Sequence, residues 1–193
     1  MMRILLIRHA EQASKVCNAD VSLSETGWKQ AEALAERLLS YGIDAVYSSP
    51  LRRAAETAGA AAEKTGLPVF FRTELSEMDF GELTGLPHAE RIEKELQYAE
   101  KRNGALTDRP YPGGESYGEV YERIRPVLGE ITASGAECAA VFSHLEALRA
   151  MVSGMICLPF DHAKLILKGL RHTAVIEMLY DEKTGRYYLK TIG

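Results

Sequence analysis

The stretch Ile4-Leu5-Leu6-Ile7-Arg8-His9-Ala10-Glu11 decides the fold, because four unbroken aliphatic residues run straight into an arginine, a histidine and a carboxylate. Apolar residues without alternation describe a strand covered on both faces, and in open α/β sheets ligands bind beyond the carboxyl ends of such strands. Arg8 and His9 stand at that end. An arginine that follows a buried strand needs an anionic partner or a way out to water. A surface loop that begins with an Arg and a His is the competing reading of this stretch taken alone.

Composition narrows the class. The chain has 193 residues, 46% hydrophobic and 26% charged, which is ordinary for a globular protein with a substantial core and fits one domain over residues 1–193. A net charge of −4 offers no general basic face, so neither nucleic acid nor an anionic membrane is expected as partner and any anion must be gripped locally. Cys17, Cys138 and Cys157 lack CxxC or Cys/His ligand spacing, which favours reduced thiols over a disulfide framework or a zinc site. No cationic leader precedes a long apolar region, and no run reaches the roughly 18 apolar residues of a membrane span. The expectation is a soluble, unexported, cytoplasmic protein.

After the first strand, a polar loop from Gln12 to Leu23 leads into a helix carrying Trp28, Ala31, Leu34, Ala35, Leu38 and Leu39 at the 3.6 period, with Ser24 to cap its start and Gly42 its end. Ile43 to Tyr47 makes a second strand. Ser48-Ser49-Pro50 then opens an alanine-rich helix to about Lys64, read with Ser49 as N-cap and Pro50 in the first helical position. Arg52 and Arg53 fall in its first turn, against the macrodipole, so they either splay into water or hold an anion there. Gly66-Leu67-Pro68 breaks the chain before the short strand Val69-Phe70-Phe71 and an acidic loop, Glu74 to Gly81. Residues 87–103 have weak helical spacing and 104–114 are rich in Pro and Gly, so about 78–114 reads as a lid-like insertion over the sheet end. Ser116 and Glu119 form a capping-box pattern for the next helix. The opening theme then recurs: Ala139-Ala140-Val141-Phe142 is a second buried strand that runs into Ser143-His144, with a helix from about Leu145 to Ile156 behind it. Residues 173–180 and 186–192 form a hairpin.

Two buried strands thus each deliver a histidine at their ends, and an arginine pair starts the helix after a third. In a doubly wound parallel sheet all these ends lie on one edge, so the groups can converge. The residues also carry a resemblance. Arg8-His9-Ala10-Glu11, Leu23-Ser24-Glu25-Thr26-Gly27 with Gln30-Ala31, Ser48-Ser49-Pro50-Leu51-Arg52-Arg53-Ala54 with Thr57-Ala58, Glu77-Met78-Asp79-Phe80-Gly81, Pro112-Gly113-Gly114-Glu115-Ser116 and Phe142-Ser143-His144 with Arg149 run in one order along nearly the whole chain. In this the chain resembles the histidine phosphatase superfamily, in its phosphoglycerate mutase-like branch.

The resemblance implies an α/β fold, a three-layer α/β/α sandwich with a mainly parallel central sheet. It implies that His9 is the nucleophile that becomes phosphohistidine, that Arg8, Arg53 and His144 hold the phosphoryl group, and that Glu77 exchanges a proton with the leaving group. Lys15 and the backbone of Leu145 are further candidates for substrate binding. Elementary chemistry is consistent with each role. Imidazole is a competent nucleophile when its second nitrogen donates to a carbonyl. Phosphoryl transfer needs in-line positioning and cationic donors, and neither a metal nor another cofactor is expected. A carboxylic acid can protonate an alkoxide near neutral pH if burial raises its pKa.

The chain departs from the family pattern in Ala10, in Lys15 where many members have Asn, and in Leu145-Glu146 where many have Gly-Gly. Glu146 would set a negative charge near a bound dianion unless its side chain turns away or into solvent. His88, His162 and His172 read as surface or satisfied residues, although His172 lies where the family sometimes contributes to the pocket. The function expected is that of a metal-independent phosphatase of small phosphomonoesters, acting through phosphohistidine. A phosphoglycerate mutase is the alternative within enzymes; its glycolytic relatives carry an Arg-Arg pair in the insertion, where this chain offers Lys94, Lys101-Arg102 and Arg109. A catalytically weak, phospho-ligand-binding regulatory protein is the alternative from another class. The Phe80-Gly81 and Pro-Gly-Gly-Glu-Ser blocks also resemble those of α-ribazole phosphatases, which adds a specific substrate candidate.

Overall fold

The computed structural model describes all 193 residues. The strands are β1 (Met2–Arg8), β2 (Ala45–Ser48), β3 (Val69–Phe71), β4 (Cys138–Ser143), β5 (Val175–Asp181) and β6 (Arg186–Ile192), and the helices are α1 (Glu25–Leu39), α2 (Arg52–Thr65), α3 (His88–Lys101), α4 (Tyr117–Ala133) and α5 (Leu145–Met155). One six-stranded sheet has the order β3-β2-β4-β1-β5-β6. The first four strands are parallel, and β5 and β6 continue antiparallel as the expected hairpin.

The side-chain alternation of β1 separates the two halves of the core. Ile4 and Leu6 pack with Ala139 and Val141 beneath α4 and α5, whereas Leu5 and Ile7 pack with Ala140 and Phe142 beneath α1 and α2. Every one of those four β1 residues is fully buried, which is why the run is apolar without interruption. The three-layer α/β/α arrangement expected from the sequence is the one observed.

Register places the chemistry. Ile7 lies opposite Phe142 and Arg8 opposite Ser143, so β1 and β4 end level and their next residues, His9 and His144, emerge side by side. Ser48 also pairs with Phe142, which brings Ser49 to the same edge.

Two local readings need correction. In α1 the buried stripe is Gly27, Ala31, Leu34, Ala35 and Leu38, while Trp28 and Leu39 are exposed. The first turn of α1 passes so close to Glu11 that a Cβ at position 27 would overlap its carbonyl, so glycine takes the inward position and Trp28 is turned out. In α2 the helix begins at Arg52, with Leu51 as N-cap and no side-chain cap from Ser49. The Ser49 amide still donates to the Phe142 carbonyl at 3.0 Å, so the chain is extended there and Pro50 precedes the helix. Asp20 supplies the cap instead, accepting from the Arg52 amide at 2.7 Å across 32 residues of sequence.

Segment 78–114 is pinned at both ends. The Val16 and Pro87 backbones bridge, Cys17 exchanges two backbone hydrogen bonds with residues 85 and 86, and the Glu82 amide donates to the Pro112 carbonyl at 3.1 Å. Gly81 sits at φ +53°, and a Cβ there would overlap the Pro112 carbonyl and the Gly114 nitrogen. Gly81→Ala is therefore expected to destabilise the fold by roughly 2–4 kcal/mol, combining left-handed strain with overpacking. The check is the urea midpoint at unchanged slope; an unchanged midpoint would mean that the 112–114 turn yields freely.

Candidate active site

A cleft of about 740 Å³ opens at the carboxyl edge of the sheet, lined by Arg8, His9, Lys15, Arg53, Glu77 and Leu145 among others. Six of the seven residues singled out from the sequence with side chains or backbone for phosphate chemistry therefore face one space. The seventh, His144, lies behind it. It is fully buried, with its ring centroid 5.0 Å from that of His9.

His9 is held at several points. Its Nδ1 lies 2.7 Å from the Ala10 carbonyl, which fixes the proton on Nδ1 and leaves the Nε2 lone pair free. The Ala10 amide in turn donates to Thr57 Oγ1 at 3.0 Å, and that hydroxyl donates to the Arg53 carbonyl at 2.6 Å, tying the strand end to α2. Burial, then the Arg53 and Arg8 charges, hold the His9 pKa well below the usual imidazole value, so the free ring is neutral.

The cations are anchored by carbonyls rather than carboxylates. Arg8 Nη1 donates to the Leu170 carbonyl at 2.6 Å. Arg53 Nη1 and Nη2 donate to the Ala19 carbonyl at 2.9 Å and to Asn18 Oδ1 at 3.0 Å. Carbonyl partners orient the guanidinium groups without cancelling their charge. The Nε atoms of both, together with His144 Nδ1, are buried without any hydrogen-bond partner in the free protein, a costly state that an anion at this site would relieve. His144 Nε2 pairs with Ser49 Oγ at 2.9 Å. Ser49, read from the sequence as a helix cap, instead orients a histidine 95 residues away; no sequence signal marks that role.

Glu77 sits at the N-terminus of α5. Its Oε1 accepts from the Met78 amide at 2.9 Å and the Ala147 amide at 3.0 Å, and its Oε2 accepts from the Glu146 amide at 3.5 Å. Burial first, and the neighbouring Glu146 charge second, raise its pKa above the ordinary carboxylate value, against the opposing pull of these amides and Arg53. Arg123 of α4 braces the segment from outside by donating to the backbone carbonyls of Glu74, Ser76 and Glu77 and by pairing with Glu115.

Glu146 does not extend into water, the orientation foreseen as the alternative to a charge beside the phosphate. Although the residue lines the cleft and its charge acts on Arg8 and Glu77, the carboxylate is not left unpaired there. Instead it is buried, ion-paired with Arg149 at 2.7 Å, and its Oε2 accepts from the Tyr117 hydroxyl at 2.6 Å. His172 and His88, read as bland, both line the cleft with Arg91. Burial and then Arg8 push the His172 pKa down to about 4, and its ring centroid is 5.5 Å from that of His9. The family resemblance offered a hint of this placement for His172, whereas His88 carries no sequence signal and only tertiary placement reveals it. No three His, Cys, Asp or Glu side chains come together in a way that would hold a metal ion.

A family model described as histidine phosphatase superfamily (branch 1) matches residues 4–191. Phosphoserine phosphatase 1 of Hydrogenobacter thermophilus is 32% identical over 162 residues, covering 81% of this chain and 77% of that protein. A probable phosphoglycerate mutase of Yersinia enterocolitica is 29% identical over 188 residues, covering 94% of this chain and 86% of that one. Among solved structures, a mycobacterial glucosyl-3-phosphoglycerate phosphatase in complex with inorganic phosphate superposes with a TM-score of 0.86 at 28% identity, covering 99% of this chain and 96% of that one. The chain belongs to the histidine phosphatase superfamily, branch 1, and is a phosphatase of that family.

Proposed function

We propose that the protein hydrolyses small phosphomonoesters through a phosphohistidine formed on Nε2 of His9. One observation carries the reading: the Ala10 carbonyl holds Nδ1 of a buried, neutral His9 and leaves Nε2 directed at a cleft flanked by Arg8 and Arg53. In the first step the Nε2 lone pair attacks phosphorus while the bond to the ester oxygen breaks, and Glu77 gives its proton to the departing alkoxide. In the second, water attacks the phosphohistidine, Glu77 takes the water's proton, and inorganic phosphate leaves with His9 restored. Arg8, Arg53, His144 and the Leu145 amide at the start of α5 bear on the non-bridging oxygens, where charge concentrates in both transition states. Lys15, at the cleft rim, and the α3 side of segment 78–114 face the alcohol portion of the substrate, which gives that segment its role as a lid.

The substrate class fits the relatives, whose names specify phosphoserine and glucosyl-3-phosphoglycerate; the α-ribazole phosphate suggested by the sequence blocks belongs in the same class of small organic phosphates. Three unbridged cysteines, two of them buried, suit a cytoplasmic setting. The Yersinia relative keeps a mutase reading in view. A mutase must retain its bisphosphorylated intermediate, whereas a phosphatase must admit water after the alcohol has left.

The test is a panel of phosphomonoesters, including phosphoserine, 3-phosphoglycerate and α-ribazole phosphate, with released phosphate as readout. Phosphate release is expected to persist in excess EDTA and to be inhibited by vanadate. Any 3-phosphoglycerate consumed should yield phosphate. Net 2-phosphoglycerate formed faster than phosphate would reverse the assignment, and activity lost to chelator but restored by Mg²⁺ would contradict the metal-independent mechanism.

A further inference from the structure

Glu146 is buried at the first turn of α5, yet the phosphoryl transfer just described makes no use of it. A buried carboxylate is retained only where partners hold it, and here they come from two elements. Arg149, one turn along α5, pairs with Glu146 Oε1 at 2.7 Å and also donates through Nε to the Ile166 carbonyl at 3.1 Å. Tyr117, at the start of α4, donates its hydroxyl to Glu146 Oε2 at 2.6 Å, and burial and Glu146 together keep that hydroxyl protonated. The residue is thus fixed in place, with its own amide directed at Glu77 Oε2 and the next amide at Glu77 Oε1. Two carboxylates share one helix N-terminus.

We propose that Glu146 is a positioning residue for Glu77: its anchored charge keeps the proton on the Glu77 carboxyl until the departing alkoxide takes it. This rests on the reading of Glu77 as the group that protonates the leaving alcohol. The helix amides and the nearby cations all favour the ionised form of Glu77, the wrong form for an acid. Around Glu77 those cations are Arg8 of β1, Arg53 of α2 and, at its backbone carbonyl, Arg123 of α4. His9 and His144 are neutral, and Cys17 is a thiol with its pKa pushed up to about 11, so none of these supplies a negative charge. Glu146 is the carboxylate that opposes the cations. Around Glu146 itself stand Arg149, Arg8, Tyr117 and Tyr111. Arg149 holds the carboxylate at 2.7 Å, and the Glu146 charge still acts on Glu77 and on Arg8.

The sign follows directly. A neighbouring negative charge raises a carboxyl pKa, so removing it lowers the pKa and the acid loses its proton at lower pH. In Glu146→Gln the alkaline limb of the kcat/KM profile for an alkyl phosphate is expected to move down by roughly one pH unit, about a tenfold loss at pH values above the limb. For p-nitrophenyl phosphate, whose leaving group departs without a proton, kcat/KM should stay within about twofold of wild type. Glu146→Gln leaves Arg149 buried without its anion, so the double variant Glu146→Gln/Arg149→Met, which removes both charges, is measured beside it and should show a limb displaced in the same direction by a smaller amount. An unmoved limb in the folded variants, or an equal loss on both substrates at every pH, would overturn the proposal in favour of a purely structural clasp between α4 and α5. Wild-type protein that fails to form an acid-labile phosphoenzyme would overturn the underlying reading, and this inference with it.

Discussion

His9→Ala is expected to lose on the order of 10³-fold or more in kcat, and with it all acid-labile, alkali-stable phosphate trapped from a brief exposure to a good substrate. The size of the loss follows from what His9 supplies. Without Nε2 the reaction has no covalent intermediate, and water would have to attack the ester directly in a cleft shaped for a ring nitrogen. The surviving cations would still bind phosphate, so vanadate or phosphate affinity should change far less than kcat. The same residue sets the acid limb of the wild-type profile. Burial, Arg53 and Arg8 lower its folded-state pKa, so the nucleophile stays neutral below the usual imidazole range and activity should persist to lower pH than an ordinary histidine would allow. A fully active His9→Ala protein would sink the mechanism, and an acid limb at or above the ordinary imidazole value would contradict the reading of its environment.

Glu77→Gln comes next in size, and its signature is selectivity between leaving groups. For alkyl phosphates kcat/KM should fall by about 10²–10⁴-fold, the usual worth of a positioned proton donor, whereas p-nitrophenyl phosphate should lose little in that parameter. Its kcat should still drop, because the second step needs a base to take the proton from water. Glutamine keeps the shape of the side chain, and its carbonyl oxygen can still accept from an amide at the start of α5, so the fold is expected to hold. Equal loss of kcat/KM on both substrates would mean that Glu77 shapes the site without moving a proton.

The sequence by itself carried a good deal of this protein. The unbroken runs at Ile4–Ile7 and Ala139–Phe142 specified two doubly covered strands, because burial on both faces forbids polar alternation, and the residues after them had to lie at one sheet edge. The capping box at Ser116 and Glu119 was equally legible, being a contact between residues three apart. Arg8, His9, Arg53, Glu77, Lys15 and Leu145 could be named in advance and do share the cleft.

What tertiary structure alone decided is which partner each polar group finds. Ser49 looks like a helix cap until β2 and β4 lie in register and His144 takes its hydroxyl, while the cap of α2 comes from Asp20 in a distant loop. Asn18 carries no motif yet tethers Arg53, and Thr57, which belongs to the motif around Arg53 but had no role read for it, steadies the backbone beside His9. Glu146 had two orientations open to it from the sequence, toward the phosphate or toward water; it stays at the cleft, but the approach of Tyr117 and the turn that brings Arg149 alongside supply partners that the sequence did not name. Apolar periodicity is a property of neighbouring residues and reads off the chain. A hydrogen bond or an ion pair depends on atoms brought within about 3 Å from anywhere in the sequence, and that closeness exists only once the sheet has been assembled.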